Sequence, residues 1–224
     1  LGSGASAEPR SDRALESLIR VRTAAEAARQ GSAAESTHRL SLPYEGAQDE
    51  PSDAVVESGG VIAYPSNTSN LHHEVELVIA IGKGGSNLSE ASALSHVWGY
   101  GVGVDLTRRD RQAEAKKAGT PWDTAKGFDH SAPISALTPA AASGEAANAR
   151  IWIKVNGETR QDASTHDMIW SLPEIIAALS RWWELKPGDL IFTGSPSGVN
   201  ALNPGDLIEC GIDRLAPLTF SIAP

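Results

Sequence analysis

The chain has a single cysteine, Cys210, so it cannot close an internal disulfide or build a thiolate-only zinc cage. It has no long hydrophobic run; the two longest, 77–81 and 175–179, are about four times too short to cross a bilayer. Nor does it have a surplus of positive charge, since 19 Lys and Arg stand against 28 Asp and Glu, a net charge of −9. That leaves no basic footprint for nucleic acid and little attraction to an anionic lipid surface, so neither is expected as a partner. The opening LGSGASAEPR carries neither an initiator Met nor an apolar signal core, so we expect neither a natural start nor a secretory leader there. The cytoplasm is the expected compartment. What is present is ordinary: 224 residues, 41% hydrophobic and 21% charged, enough for one domain with a sizeable core.

Composition breaks near residue 50. The first 50 residues contain no lysine and no tryptophan, and Tyr44 is their one aromatic. Ala, Arg and Glu over 13–35 favour helix, but Leu15, Leu18, Ile19 and Val21 give it little to bury. Residues 1–50 are therefore expected to be an atypical segment, disordered or at best a marginal helix. From Pro51 onward, short apolar runs between Gly, Pro and Asn turns read as strands over 74–81, 100–106, 151–155, 190–193, 207–210 and 218–222. Asn156-Gly157 is a hairpin turn signal. Helices are expected over 89–96, over 108–118 with Gly119 as the stop, and over 172–183 with Pro173 in the first turn. So few helices between strands argue against a doubly wound βαβ fold and for a mainly β domain with short helices over 51–224.

Chemistry concentrates in three segments. In NLHHEVELVIAIG, residues two apart on a strand share a face, which puts Glu74 and Glu76 side by side, roughly 6.5–7 Å apart at the backbone. Val75, Leu77, Ile79 and Ile81 take the other face, toward the core. Neighbouring carboxylates repel unless one keeps its proton or a cation lies between them; the plainer alternative is a solvated polar face. At most one of His72 and His73 can share that side.

In WGYGVGVDLTRRDRQ, Tyr100, Val102, Val104 and Leu106 alternate with Gly101, Gly103 and Asp105. Such glycines mark close approach of a ligand or backbone, or a bulge or barrel corner. Arg108, Arg109, Asp110 and Gln112 follow at once, an arrangement suited to an anion. In GTPWDTAKGFDHSAP, Lys126 stands among Trp122, Phe128 and two prolines and is expected to be partly enclosed, an exposed loop being the alternative. Two superficial motifs fail. FTGSPSGV has Pro196 where a nucleophile elbow needs serine, and GKGG at 82–85 lacks the spacing of a phosphate loop. Glu74, Glu76 and Asp105, with no cysteine and no obvious histidine, make a hard oxygen site that suits Mg²⁺, Mn²⁺ or Ca²⁺ and fits zinc poorly.

These segments, with IWIKVNGETRQ and DLIFTGSPSGV, resemble the fumarylacetoacetate hydrolase family in order and spacing over about residues 51–222. The nearest branch is that of the short acylpyruvate hydrolases, especially the fumarylpyruvate hydrolases. The resemblance implies a mixed β-sandwich roll, usually a homodimer, with one Mg²⁺ or Mn²⁺ per subunit. It places Glu74, Glu76 and Asp105 on the metal, Lys126 on the catalytic lysine, Arg109 and Gln112 on substrate-contacting positions, and Thr193 on the threonine of a TGTP-type turn, where Ser195 replaces a second threonine. It implies hydrolysis of a carbon–carbon bond in a 2,4-dioxo acid, with β-keto acid decarboxylation, 2-hydroxymuconate-type isomerisation or an inactive metal-binding relic as alternatives. The front departs from the family: no Gly-Arg-Asn-Tyr strand precedes PSDAVV, and the expected His-x-x-Glu pair falls on Ser32 and Glu35, with His38 on the wrong side. Glu35 is thus the candidate base that activates water. A shifted reading frame or a truncated start would account for the compositional break.

Overall fold

The structure, a computed structural model, describes residues 54–224 in full and, before them, the backbone of Leu18–Arg22 and Ala47–Glu50. Strands dominate. The largest sheet has eight, in the spatial order Ala47–Glu50 (β2), Leu18–Arg22 (β1), Asp189–Phe192 (β13), Val75–Ile81 (β6), Val97–Val104 (β7), Ala132–Ile134 (β9) and Val55–Glu57 (β3), with Thr138–Pro139 (β10) also paired to β7. A five-stranded sheet runs Glu158–Ser164 (β12), Arg150–Val155 (β11), Leu207–Ile212 (β15), Leu218–Ile222 (β16) and Val61–Ile62 (β4). Asn200–Leu202 (β14), Leu71–His73 (β5) and Thr107–Arg108 (β8) form a third, small sheet. Among the described residues the α-helices are Glu90–Ala93 (α1), Arg109–Ala118 (α2), Asp123–Lys126 (α3) and Leu172–Trp182 (α4). Most pairings are antiparallel, but β1–β2, β3–β9 and β4–β16 are parallel, so the fold is a mixed, mainly β roll.

The apolar pattern explains the layering. Val75, Leu77, Ile79 and Ile81 of β6 share one core with Ile151, Ile153 and Ile208 of the five-stranded sheet and with Ile175, Ile176 and Leu179 of α4. Helix α4 is held at its start by a capping box, Ser171 with Glu174, and by Pro173 in its first turn. On the opposite face of β6, Val78 and Ala80 pack with Ala132, Ile134, Leu190 and Phe192. Strand β6 is therefore buried on both sides, and no solvated face remains for the acidic residues. Asn156 (φ 52°) and Gly157 (φ 79°) join β11 to β12 in the left-handed region that a two-residue hairpin requires.

The structure departs from expectation in four places. The strand expected over 100–106 begins at Val97 and ends at Val104, which leaves Asp105 just beyond it. The helix expected over 89–96 is one α turn followed by a 3₁₀ turn, Leu94–His96, and Ser89 makes no side-chain cap bond. Leu18–Arg22 lies in a strand although composition favours helix there, because pairing along β13, from Ile19 opposite Phe192 to Arg22 opposite Asp189, outweighs intrinsic propensity. The other expectations for residues 1–50, Glu35 included, lie outside the described residues. Finally, Gly103 admits neither a ligand nor a backbone: a Cβ there would overlap the Phe192 ring and stand 2.7 Å from Val78 Cγ2. Gly103→Ala should accordingly overpack this layer and lower the unfolding free energy by about 1–3 kcal/mol, read from the urea midpoint.

Candidate metal centre

The three acids come from backbone breaks and one strand. Glu74 occupies the break between β5 and β6, Glu76 lies on β6, and Asp105 follows β7. Val75 pairs with Val104 and Glu76 with Gly103, and the Asp105 N–H donates to the Glu74 carbonyl at 2.9 Å, so the register brings all three together. One oxygen from each lies within 4.8 Å of the others. Glu76 is 0% exposed and Asp105 1%, which overturns the solvated-face alternative.

Lys126, at the end of α3, is equally buried rather than partly enclosed. Its Nζ donates to Glu74 Oε2 at 2.9 Å, to Thr107 Oγ1 at 2.7 Å and to Asp105 Oδ2. Arg109, opening α2, donates to Glu74 Oε1 and, at 2.5 Å, to Gln112 Oε1. The other arginines of that turn face elsewhere. Arg108 lies 4.3 Å over the Phe128 ring and donates to the Thr124 carbonyl; Arg111 donates to the Asn67 carbonyl and to Glu114. Of these three arginines, Arg109 alone reaches the anionic centre. Both histidines are engaged away from it, His72 with Asn70 and His73 with Gln161. Two contributors were not visible in the sequence: Thr107, and the Gly194 N–H, which donates to Glu76 Oε2 at 2.7 Å from a turn 118 residues away.

The charges are unequal. Burial disfavours the Glu74 anion, but Lys126 and Arg109 together outweigh it and hold the carboxyl at about 2. Burial, with Asp105 and Glu74 nearby, pushes Glu76 well above the usual carboxylate range. Burial likewise lifts Asp105 to about 7, with Lys126 opposing and Glu74 adding to it. Lys126 itself is held above its ordinary value because Asp105 and Glu74 more than offset its burial.

Glu76 Oε1 and Asp105 Oδ1 are buried without a hydrogen-bond partner. Buried carboxylate oxygens left unsatisfied are costly, and a hard divalent cation is the ligand that three such oxygens suit. The donor set therefore fits Mg²⁺ or Mn²⁺, with Glu74, Glu76 and Asp105 as the residues that can hold it. From this centre opens a cavity of about 490 Å³ whose lining includes Lys126, Thr193, Arg109, Gln112, Lys116, Met168, Trp170 and Val199. Thr193 donates its hydroxyl to the Leu77 carbonyl at 2.8 Å, which leaves its oxygen lone pairs for a ligand.

Because Asp105 retains a proton up to about pH 7 without a cation, metal binding must displace protons. Mn²⁺ titrations near neutral pH, run in buffers of different ionisation enthalpy, should show net proton release. Affinity should weaken as pH falls through about 7, where the carboxyl is neutral.

A family profile described as fumarylacetoacetate (FAA) hydrolase C-terminal matches residues 22–223. Over 170 residues the chain is 43% identical to a fumarylpyruvate hydrolase from Ralstonia sp, covering 76% of this chain and 88% of that protein. It is as similar to the mitochondrial oxaloacetate tautomerase FAHD1 of Mus musculus, 43% over 173 residues, covering 77% and 78% of the two chains. Among solved structures, the fumarylpyruvate hydrolase from Pseudomonas aeruginosa in complex with Mn²⁺ and pyruvate is 41% identical, with a TM-score of 0.77 over 92% of this chain and 88% of that one. The buried acidic triad thus sits in a fold already seen with a divalent metal, and the chain belongs to the fumarylacetoacetate hydrolase family.

Proposed function

We propose that this protein hydrolyses a carbon–carbon bond in a 2,4-dioxo acid, with fumarylpyruvate as substrate and pyruvate and fumarate as products. Residues 51–224 form the catalytic domain in this reading, as a cytoplasmic homodimer. The observation that carries it is the convergence of Glu74, Glu76, Asp105 and Lys126 beside a cavity whose lining includes Glu74 and Lys126 together with Arg109, Gln112 and Lys116. A bound Mg²⁺ or Mn²⁺ would supply Lewis acidity toward the substrate's hard oxygens.

The chain's own residues do the rest. Water adds to the carbonyl distal to the pyruvyl end, and the bond between that carbon and the adjacent methylene breaks. The electron pair leaves with the pyruvate enolate, which takes a proton at carbon. Lys126, whose three N–H groups already donate to Glu74, Asp105 and Thr107, supplies a fixed positive charge near the place where that negative charge develops; preorganised charge of this kind is worth about 3–4 kcal/mol. Arg109, Gln112 and Thr193 bind and orient the substrate. Glu35 is assigned the water-activating role from its place in the sequence.

Chain length separates this from a second reading. Arg109, Gln112 and Lys116 are spaced three and four residues apart, hence on one face of α2. At 1.5 Å per residue, Lys116 lies about 10 Å further along the helix than Arg109. The Lys116 ammonium lies 4.4 Å over the Trp122 ring, also in the cavity lining; a seven-carbon dianion matches that helical rise better than four-carbon oxaloacetate does, which supports the longer substrate. Oxaloacetate tautomerisation or decarboxylation is the second reading, favoured by the similarity to FAHD1 and passing through a related enolate.

Metal-loaded protein should convert fumarylpyruvate to pyruvate and fumarate, and Glu76→Ala should abolish turnover. Lys126→Met should lower kcat by about two to three orders of magnitude. Lys116→Ala should raise KM for fumarylpyruvate while leaving any turnover of oxaloacetate unchanged. Faster turnover of oxaloacetate than of fumarylpyruvate by the wild type would select the second reading.

A further inference from the structure

Strand β6 has an edge that its neighbour does not cover. Strand β13 pairs with β6 only as far as Phe192 opposite Val78. Beyond that point the Thr193 N–H and hydroxyl both donate to the Leu77 carbonyl, at 3.2 and 2.8 Å. At Val75, between the two glutamates, side chains take over. The Val75 N–H donates to Gln161 Oε1 at 3.2 Å, and Ser195 Oγ donates to the Val75 carbonyl at 2.9 Å.

Gln161 uses its whole amide in this way. Its oxygen also accepts from His73 Nδ1 at 2.9 Å, and its nitrogen donates to Ser195 Oγ at 2.9 Å and to the Pro196 carbonyl at 2.7 Å. The Val75 N–H can only donate, so the amide orientation is fixed, and with it the Nδ1–H tautomer of His73. The fold is shaped to bring this residue there. Ile153 pairs with Gln161 but Lys154 with Thr159, so Arg160 is an extra residue that bulges β12. The turn comes down on that bulge: a Cβ on Gly198 (φ +103°) would lie 2.5 Å from the Arg160 carbonyl. The same turn delivers the Gly194 N–H to Glu76 Oε2.

We propose that Gln161 is a positioning residue for the metal centre: it sets the affinity of the carboxylate triad by clamping the backbone between Glu74 and Glu76 to the turn that supports Glu76. It is not one of the three acids and does not line the cavity. The inference rests on the metal reading of the triad. Groups hydrogen-bonded directly to metal ligands typically change affinity 10- to 100-fold when lost; Gln161 acts one bond further out, through Val75 and the turn that carries Gly194, so its effect belongs at the lower end of that range.

The test is Mn²⁺ affinity, measured by calorimetry and by the electron paramagnetic resonance of free Mn²⁺, alongside the melting temperature and near-ultraviolet circular dichroism of the metal-free protein. Gln161→Leu should weaken binding about 10-fold, the lower end of the range for groups that support metal ligands. Gln161→Glu keeps an acceptor for Val75 and His73 but loses both donors, and Ser195→Ala breaks the link to the Val75 carbonyl; both should bind Mn²⁺ more weakly than wild type while remaining folded. If Gln161→Leu fails to fold, these two carry the test. Wild-type Mn²⁺ affinity in the folded variants, even with lower melting temperatures, would make Gln161 merely structural and overturn the proposal. A wild type that does not bind Mn²⁺ would instead overturn the metal reading, and this inference with it.

Discussion

The ammonium group of Lys126, buried and shared by Glu74, Asp105 and Thr107, decides what the acidic cluster can be. Two like charges at 4–5 Å repel by roughly 3–4 kcal/mol at the effective dielectric of a protein, so three carboxylates cannot all ionise unaided. Lys126 and Arg109 stabilise the Glu74 anion, and the strain of burial falls on Glu76 and Asp105. Those two acids also carry the unpartnered oxygens. A divalent cation held by Glu74, Glu76 and Asp105 would complete the same balance, taking the place of the protons and satisfying the oxygens while Lys126 stays charged. Replacing that lysine by an apolar residue would remove the counter-charge from Glu74 and Asp105 together, and breaking a buried pair in this way is far costlier than its absence from the outset would suggest.

The backbone explains how such a cluster survives folding. Glu74 and Asp105 lie just outside regular strands, where the chain can turn their side chains inward, while Glu76 is fixed by β6 itself. Helix α2 begins directly after β8, so Arg109 meets Glu74 while the next turns of the helix run along the cavity. Gly119 in the left-handed region (φ 64°) ends that helix, and α3 then returns Lys126 to the centre. One stretch, 105–126, therefore supplies a carboxylate, the arginine, the glutamine and the lysine, and the remaining acids, on β6 and just before it, arrive through the pairing of β6 with β7.

This locality governs how much could be read from the sequence. The strands at 151–155 and 218–222, the stop at Gly119 and the hairpin at Asn156-Gly157 follow from periodicity and turn chemistry, which act over a few residues. Glu74, Glu76 and Asp105 were legible because carboxylates at such spacing need a reason to be there. The depth of Lys126 was not, because burial of a lysine depends on partners 19 to 52 residues away. Gly103 misled for a related cause: its missing side chain makes room for Phe192, a contact that only the sheet order reveals. Gly194 and Gln161 gave no local signal at all, since each acts through a bond spanning more than 80 residues.

Affinity and selectivity fall on different parts of the molecule. The triad and its supports are buried, hydrogen-bonded and indifferent to whatever extends beyond the first few substrate atoms, so a related enolate chemistry can serve hydrolysis, decarboxylation or tautomerisation alike. Discrimination must come from the cavity lining, where Lys116 offers charge two turns along α2 from Arg109, and Met168, Trp170 and Val199 offer apolar surface. In the proposed reading, a dianion with its two oxo groups at the metal end and an alkene near its far carboxylate would use both the apolar and the charged parts of that lining. A short dianion would meet fewer of these groups, so in that reading the length of the substrate, more than the identity of the metal, separates the two activities.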